Sequence, residues 1–374
     1  MSAPSPPAPP PPGRVLRYEP CIDGWRAIAA GMVVIAHLFP QHGAPNTWMV
    51  LGGIGVTVFF IISGYLISMV LFTAKEHVAE GRLTTGAALR RFYIRRTLRI
   101  APIYYGSIFA MWLIGLPPVR DHLAWLVTYT SNLGYVLANV DFQNVGHFWS
   151  LGVEEQFYVV WPLVILMVAR AALGRAIARL FWGSLVVLLA IGFGGGSVYL
   201  MTMLPVGGAS LALSYGGLLA YGKFYEKGIR PLLLRLSLWV GVPSFAYSQF
   251  VWWWHGGHPA LDLFECRIIY VWSVTLFFGA LFILSLTPGS VLNRILCFPV
   301  LRYLGRISYG VYVYHLLLDP YFYSIWSRCG LRVSAGHYTE GILKSLTTIA
   351  VAAVSWHCFE KPILSLKDRL APGV

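Results

Sequence analysis

The chain has 374 residues, of which 57% are hydrophobic and only 11% charged, and its mean hydropathy is +0.65. A soluble domain needs a polar exterior that this composition cannot supply, so a water-soluble globular protein is excluded. The formal net charge of +13 does not point to nucleic acid, because the basic residues lie between apolar runs; positive-inside topology and attraction to anionic membrane lipid account for it.

Residues 2–12 are mostly proline with alanine and serine, and lack the charged and apolar regions of a signal peptide. Residues 1–20 therefore read as a disordered, partly polyproline-like cytoplasmic tail, and the first span as an uncleaved signal anchor. Apolar spans are expected near residues 24–41, 51–72, 101–117, 155–170, 180–203, 206–221, 236–254, 267–287, 308–326 and 342–358. The fold class is thus all-α, a polytopic membrane bundle of about ten transmembrane helices. The membrane domain covers 21–360, a second inner tail covers 361–374, and no internal repeat is visible.

Basic residues test this arrangement. With both termini cytoplasmic, Arg120, Arg267, Arg328, Arg332 and Lys344 fall outside, Arg26 sits in the first span, and every other Lys and Arg falls inside. Making 121–138 a span would invert everything after it. Its Asp121, His122, Thr128, Thr130, Ser131 and Asn132 suit a water-facing outer or re-entrant segment. Trp252, Trp253 and Trp254 fit an interfacial belt, beside an interfacial His255 and His258. The five scattered cysteines show neither a CxxC pair nor metal-ligand spacing and read as buried packing residues, so no metal is expected.

Ionisable residues within spans carry the chemistry. Arg26 and His37 are eleven helical steps apart, within ~20° of three full turns and roughly 16 Å along the axis. They share one helix face at a separation comparable with an extended pantetheine arm. A cation near the inner surface can hold a phosphate while the imidazole meets a thioester. Ser63 offers a hydroxyl beside Gly64 in an otherwise apolar second span, with no nucleophile elbow around it. Arg91, Arg95, Arg96 and Arg99 crowd the inner loop at helical spacing, suited to an anionic ligand. Next come His147, Trp149, Ser150, Glu154, Glu155 and Gln156 at an outer boundary, more acids than helix capping needs. Ser308, Tyr309, Tyr312 and His315 follow in the ninth span, where a buried histidine again invites a partner.

The pieces DGWRAIA, FFIISGYLIS, YIRRTLRI, HFWSLGVEEQFY, LGRISYGVYVYH and FEKP together resemble the membrane acyltransferase-3 family, which modifies bacterial surface sugars, nodulation factors and some macrolides. They run in the family's order over nearly the whole chain. The resemblance implies a ten-span protein in the cytoplasmic membrane, an essential arginine and histidine at Arg26 and His37, and an arginine pair at Arg96 and Arg99. The family carboxylate falls on Glu154 or Glu155, with Glu155 favoured. Thr57 stands where many members carry an aspartate. No SGNH hydrolase-type domain follows, so the chemistry is expected within the membrane domain.

The expected activity is O-acyl transfer, most simply O-acetyl transfer, from acyl-CoA to a hydroxyl of a carbohydrate or lipid-linked glycan. Catalysis falls to His37 as general base with Arg26 and Glu155. Arg26, Arg95, Arg96 and Arg99 hold the donor, and Ser63, His147, Trp149, Ser150 and Glu154 face substrate. Acylation of a macrolide or other small product, and a transporter or flippase, are the alternatives; transporters often carry inverted repeats, which are missing here.

Overall fold

A computed structural model describes residues 18–39, 47–195, 198–226, 229–254, 264–331, 333 and 337–371. Every regular element among them is helical. The main helices are α1 (Pro20–Leu38), α2 (Thr47–Ala79), α3 (Thr85–Leu113), α4 (Phe148–Met167), α5 (Arg170–Phe193), α6 (Gly208–Phe224), α7 (Val242–Trp254), α8 (Phe264–Ser285), α9 (Pro299–Leu317) and α10 (Tyr338–Ser355).

Six stretches among the described residues are long and apolar enough to cross a membrane: Pro20–Leu38, Leu51–Ala79, Gln143–Met167, Arg170–Phe193, Leu200–Phe224 and Tyr338–Leu370. The other four expected spans fall on helices that miss that standard for visible reasons. Arginines fill the first half of α3 and interrupt its apolar run. A π-turn at Ser237–Gly241 joins α7 to Ile229–Leu236. The apolar stretch of α8 is shorter, Ile269–Ser285. The expected span 308–326 is displaced: α9 begins at Pro299 and stops at Leu317, because Asp319–Tyr321 turns the chain into a separate helix, Phe322–Arg328. Likewise the span expected at 180–203 starts earlier, as α5.

Segment 121–138 is broken into Pro117–Asp121, Leu123–Val127 and Ser131–Ala138, each too short to cross a bilayer. Tyr129 (φ 55°) and Asn139 (φ 50°) adopt left-handed backbone at two of the breaks. The segment is tied down by Gln156, whose amide donates to the Tyr129 carbonyl and to Asn132 Oδ1, each at 2.9 Å.

The bundle centres on α1, packed between α2 and α9, while α2 also packs on α6. Small residues permit these contacts. A methyl group on Gly64 would lie 1.9 Å from the Leu213 carbonyl oxygen, and one on Gly216 would lie 2.2 Å from that of Ile61. The C-terminal end of α4 is capped by Lys75, whose Nζ donates to the carbonyls of Ile165 (3.0 Å), Leu166 (3.2 Å) and Val168 (2.7 Å). The outward faces of α4, α5 and α10 expose Val159, Val160, Trp182, Val186, Phe193, Leu346 and Val354. Large apolar side chains exposed along these helices suit lipid, as in a multi-pass membrane protein.

The chain remains helical after α10 at Lys361–Ser365 and Lys367–Leu370. This end is held against α3, where Arg95 Nε donates to the Ala371 carbonyl at 2.9 Å. Cys21 is buried, but Cys329 and Cys358 are exposed, so packing does not explain them. Trp253 and Trp254 are exposed at the end of α7. Residues 1–17, the side chains of Trp252 and Arg267, and residues His255, His258 and Arg332 lie outside the described residues.

Candidate active site

Helices α1, α2, α3, α4 and α9 enclose a cavity of about 390 Å³. Helical spacing aims the polar side chains into it. Arg95, Arg96 and Arg99 come from one side of α3, and Ser150, Glu154 and Tyr158 from every fourth position of α4. Arg26 of α1, Ser63 of α2, and Ser308, Tyr309 and Tyr312 of α9 complete the wall.

The cavity has an excess of cations. Arg95 is partly engaged, 3.8 Å from Asp368 and bonded to Ala371. Arg96 lies over the Tyr158 ring, 4.2 Å from its centroid. Among the described residues, neither Arg26, Arg96 nor Arg99 forms an ion pair; the nearby Asp23 is 4.0 Å from Arg306 instead. Glu154 accepts a hydrogen bond from the Ser63 hydroxyl. Guanidinium groups gathered inside a membrane domain are costly unless an anion neutralises them.

His37 does not line this cavity. It is exposed in the last turn of α1, and its Nδ1 donates to the Val33 carbonyl at 2.9 Å. It belongs to a cluster of three imidazoles. The His37 and His315 ring centroids are 5.1 Å apart, and those of His315 and His147 are 4.7 Å apart. Tyr312 joins the two regions. It lines the cavity, and its ring lies 5.4 Å from that of His147 and 5.7 Å from that of His315. Its hydroxyl donates to the His147 carbonyl at 2.9 Å and meets Ser150 Oγ at 2.5 Å. Ser308, fully buried in the wall, has a hydroxyl with no hydrogen-bond partner among the described residues.

The expected site residues therefore fall into groups. Arg26, Arg95, Arg96, Arg99, Ser63, Ser150 and Glu154 meet in the cavity. His37 and His147 meet beside it. Trp149 lies against Phe60, whose own ring reaches the cavity wall. Glu155 is not part of the cavity wall; it lies within electrostatic reach of Arg96 and Tyr309, which are, and of Tyr104, Tyr105 and Tyr129, and its Oε1 is buried with no partner among the described residues. Tyr158 is an addition, while the sequence already singles out Ser308, Tyr312 and His315. The last three sit at i, i+4 and i+7 on α9, a one-face pattern already present in the sequence.

No solved structure matches this chain. Among curated proteins, it is 27% identical over 379 residues to peptidoglycan O-acetyltransferase OatA of Listeria monocytogenes, a match covering 93% of this chain and 56% of that protein. It is 28% identical over 384 residues to O-acetyltransferase OatA of Staphylococcus aureus, covering 93% and 57%. The chain thus spans about half the length of the curated relatives it matches. A family model described as an acyltransferase domain matches residues 19–356, the whole of the helical core that builds the cavity and the histidine cluster. The chain belongs to this acyltransferase-3 family.

Proposed function

We propose that this protein is a membrane O-acetyltransferase that takes the acetyl group from acetyl-CoA and places it on a hydroxyl of an extracytoplasmic glycan. The observation that carries the donor assignment is the set of arginines, Arg26, Arg96 and Arg99, meeting in one cavity without ion-pair partners among the described residues. Phosphates of coenzyme A match guanidinium forks in charge and geometry. Both termini lie in the cytoplasm in this reading, which puts the arginine end of α3 where acyl-CoA is found.

His37 acts as general base. Its Nδ1–H is fixed by the Val33 carbonyl, so Nε2 is the free lone pair of the neutral ring. It draws the proton from the acceptor hydroxyl as that oxygen attacks the acetyl carbonyl. Arg26 serves the donor at the opposite end of the same helix. The unpartnered Ser308 hydroxyl is available to the acyl oxygen. Glu154, paired with Ser63, is the carboxylate at the cavity; Glu155 supports the fold of the outer segment around the tyrosines.

The acceptor follows the relatives, whose names specify O-acetyl transfer and, for the Listeria protein, peptidoglycan. The test is mass spectrometry of purified cell-wall and surface glycans from cells with and without the gene. An added acetyl group per repeat that depends on the gene and on His37 supports the reading. Identical glycan spectra, with no acetyl-CoA consumption by the purified protein, overturn it.

A further inference from the structure

Each imidazole of the cluster is pinned by one backbone carbonyl. His37 Nδ1 bonds Val33 O at 2.9 Å, His315 Nδ1 bonds Tyr312 O at 2.6 Å, and His147 Nε2 bonds Val313 O at 3.1 Å. A carbonyl only accepts, so each of these nitrogens carries hydrogen and the other nitrogen of each neutral ring is a bare lone pair. In His315 and His147 that second nitrogen is buried with no hydrogen-bond partner among the described residues, and the two rings are adjacent. Buried acceptors are rarely left unpaired, and a pair serving only as packing would be satisfied at both ring positions. Among the described residues no group of three or more histidine, cysteine or carboxylate side chains could hold a metal ion. An unpaired imidazole nitrogen in each of two adjacent rings is a place for a proton.

We infer that His315, backed by His147, is the proton acceptor behind His37, receiving the proton that His37 removes from the acceptor hydroxyl. This rests on the reading of His37 as the general base. The acceptor oxygen forms its bond to the acyl carbon, and the carbon–sulfur bond of the thioester breaks. The proton passes from His37 to His315, is shared with His147, and returns by the same route to the leaving thiolate, giving ester and free thiol. The cluster is suited to this because its middle ring, His315, is fully buried while His37 is exposed to the arriving hydroxyl. His315 and His147 touch neither substrate and act through His37, so they are positioning residues.

The experiment uses the full chain in lipid nanodiscs, with acetyl-CoA as donor and a soluble N-acetylglucosamine oligomer as acceptor. His315→Gln should lower kcat about 10- to 100-fold with the KM for acetyl-CoA unchanged, a step below the range for removing a general base itself. In mixtures of light and heavy water, the wild-type rate should follow a bowed curve, as for two protons in flight, and His315→Gln a straight line. A merely structural role would lower the folded fraction without straightening the curve. Wild-type kcat in His315→Gln overturns the inference, as does a linear dependence in the wild-type protein, which decides the matter even if the variant does not fold. Full activity in His37→Gln sinks the general-base reading itself, whatever His315 does. No transfer by the wild-type protein overturns both.

Discussion

The Ser63 hydroxyl of α2 donates a hydrogen bond to the Glu154 carboxylate of α4, across the wall of the arginine cavity. The contact fixes which of two adjacent acids faces that space. Neighbouring helical residues diverge by about 100°, so Glu155 falls outside the cavity wall, within electrostatic reach of Arg96 and of Tyr104, Tyr105 and Tyr129. Glu154→Gln should therefore lower acetyl transfer by about tenfold or more, the cost of weakening one charge-assisted contact. Glu155→Gln should act mainly on stability. Parallel kinetics and thermal melts of the two purified variants separate these effects, and a larger kinetic defect in Glu155→Gln would reassign the carboxylate.

The arginines should divide in the same manner. Arg96→Ala and Arg99→Ala each remove a guanidinium that forms no ion pair among the described residues, so acetyl-CoA affinity should fall by roughly 10- to 100-fold with folding intact. Arg95→Ala breaks the contacts to Ala371 and Asp368 and should loosen the C-terminal helices with a smaller effect on binding. Calorimetric titration of acetyl-CoA into each variant makes the comparison. Unchanged affinity in Arg96→Ala and Arg99→Ala would return the cluster to a lipid-anchoring role.

Much of this site is legible in the sequence where the pattern is local. Arg26 and His37 share a face by simple helical arithmetic, and the arginines of α3 are adjacent in the chain. The histidine cluster is not legible, because His147 and His315 come from helices far apart in sequence and meet only through packing around Tyr312. The spans show the same division. Uninterrupted apolar helices such as α2 and α5 declare themselves by hydropathy alone. Helix α3 does not, since the arginines that serve the cavity also dilute its apolar run, and the end of α9 is set by Asp319–Tyr321 rather than by hydropathy.

Packing at the α2–α6 contact gives a prediction independent of chemistry. A methyl group on Gly64 would meet the Leu213 carbonyl oxygen at 1.9 Å, and backbone on both helices blocks relief. Gly64→Ala should cost at least about 1–3 kcal/mol, as overpacking does. It should be read as a lower melting temperature in detergent or nanodiscs, while Gly86→Ala, which has open space around it, should melt like the parent. Equal melting of the two variants would show that the helices are not in this close contact.

Topology is tested by reporter fusions. The short helices between 117 and 138 cannot cross a bilayer, so a fusion after residue 140 should report an extracytoplasmic location and one after residue 80 a cytoplasmic location. A cytoplasmic signal after residue 140 would put the acceptor side of the histidine cluster on the wrong face of the membrane.

The two ends of α1 carry the decisive test of mechanism. With His37 as general base, His37→Ala should lower the transfer rate by about 10²–10⁴ while acetyl-CoA binding is largely kept, because His37 does not line the arginine cavity. His37→Gln keeps a polar side chain of similar size but cannot take a proton at neutral pH, so it should be nearly as inactive. A packing histidine would behave the other way, since glutamine would preserve activity and alanine would lose mainly stability. Arg26→Lys is the companion experiment at the other end of the helix. Lysine keeps the charge but loses the planar fork, so a phosphate-holding arginine should tolerate it poorly and acetyl-CoA affinity should drop. A cation that merely snorkels to the interface would not distinguish the two side chains. Full activity in both His37→Gln and Arg26→Lys would defeat this mechanism while leaving membership of the family untouched.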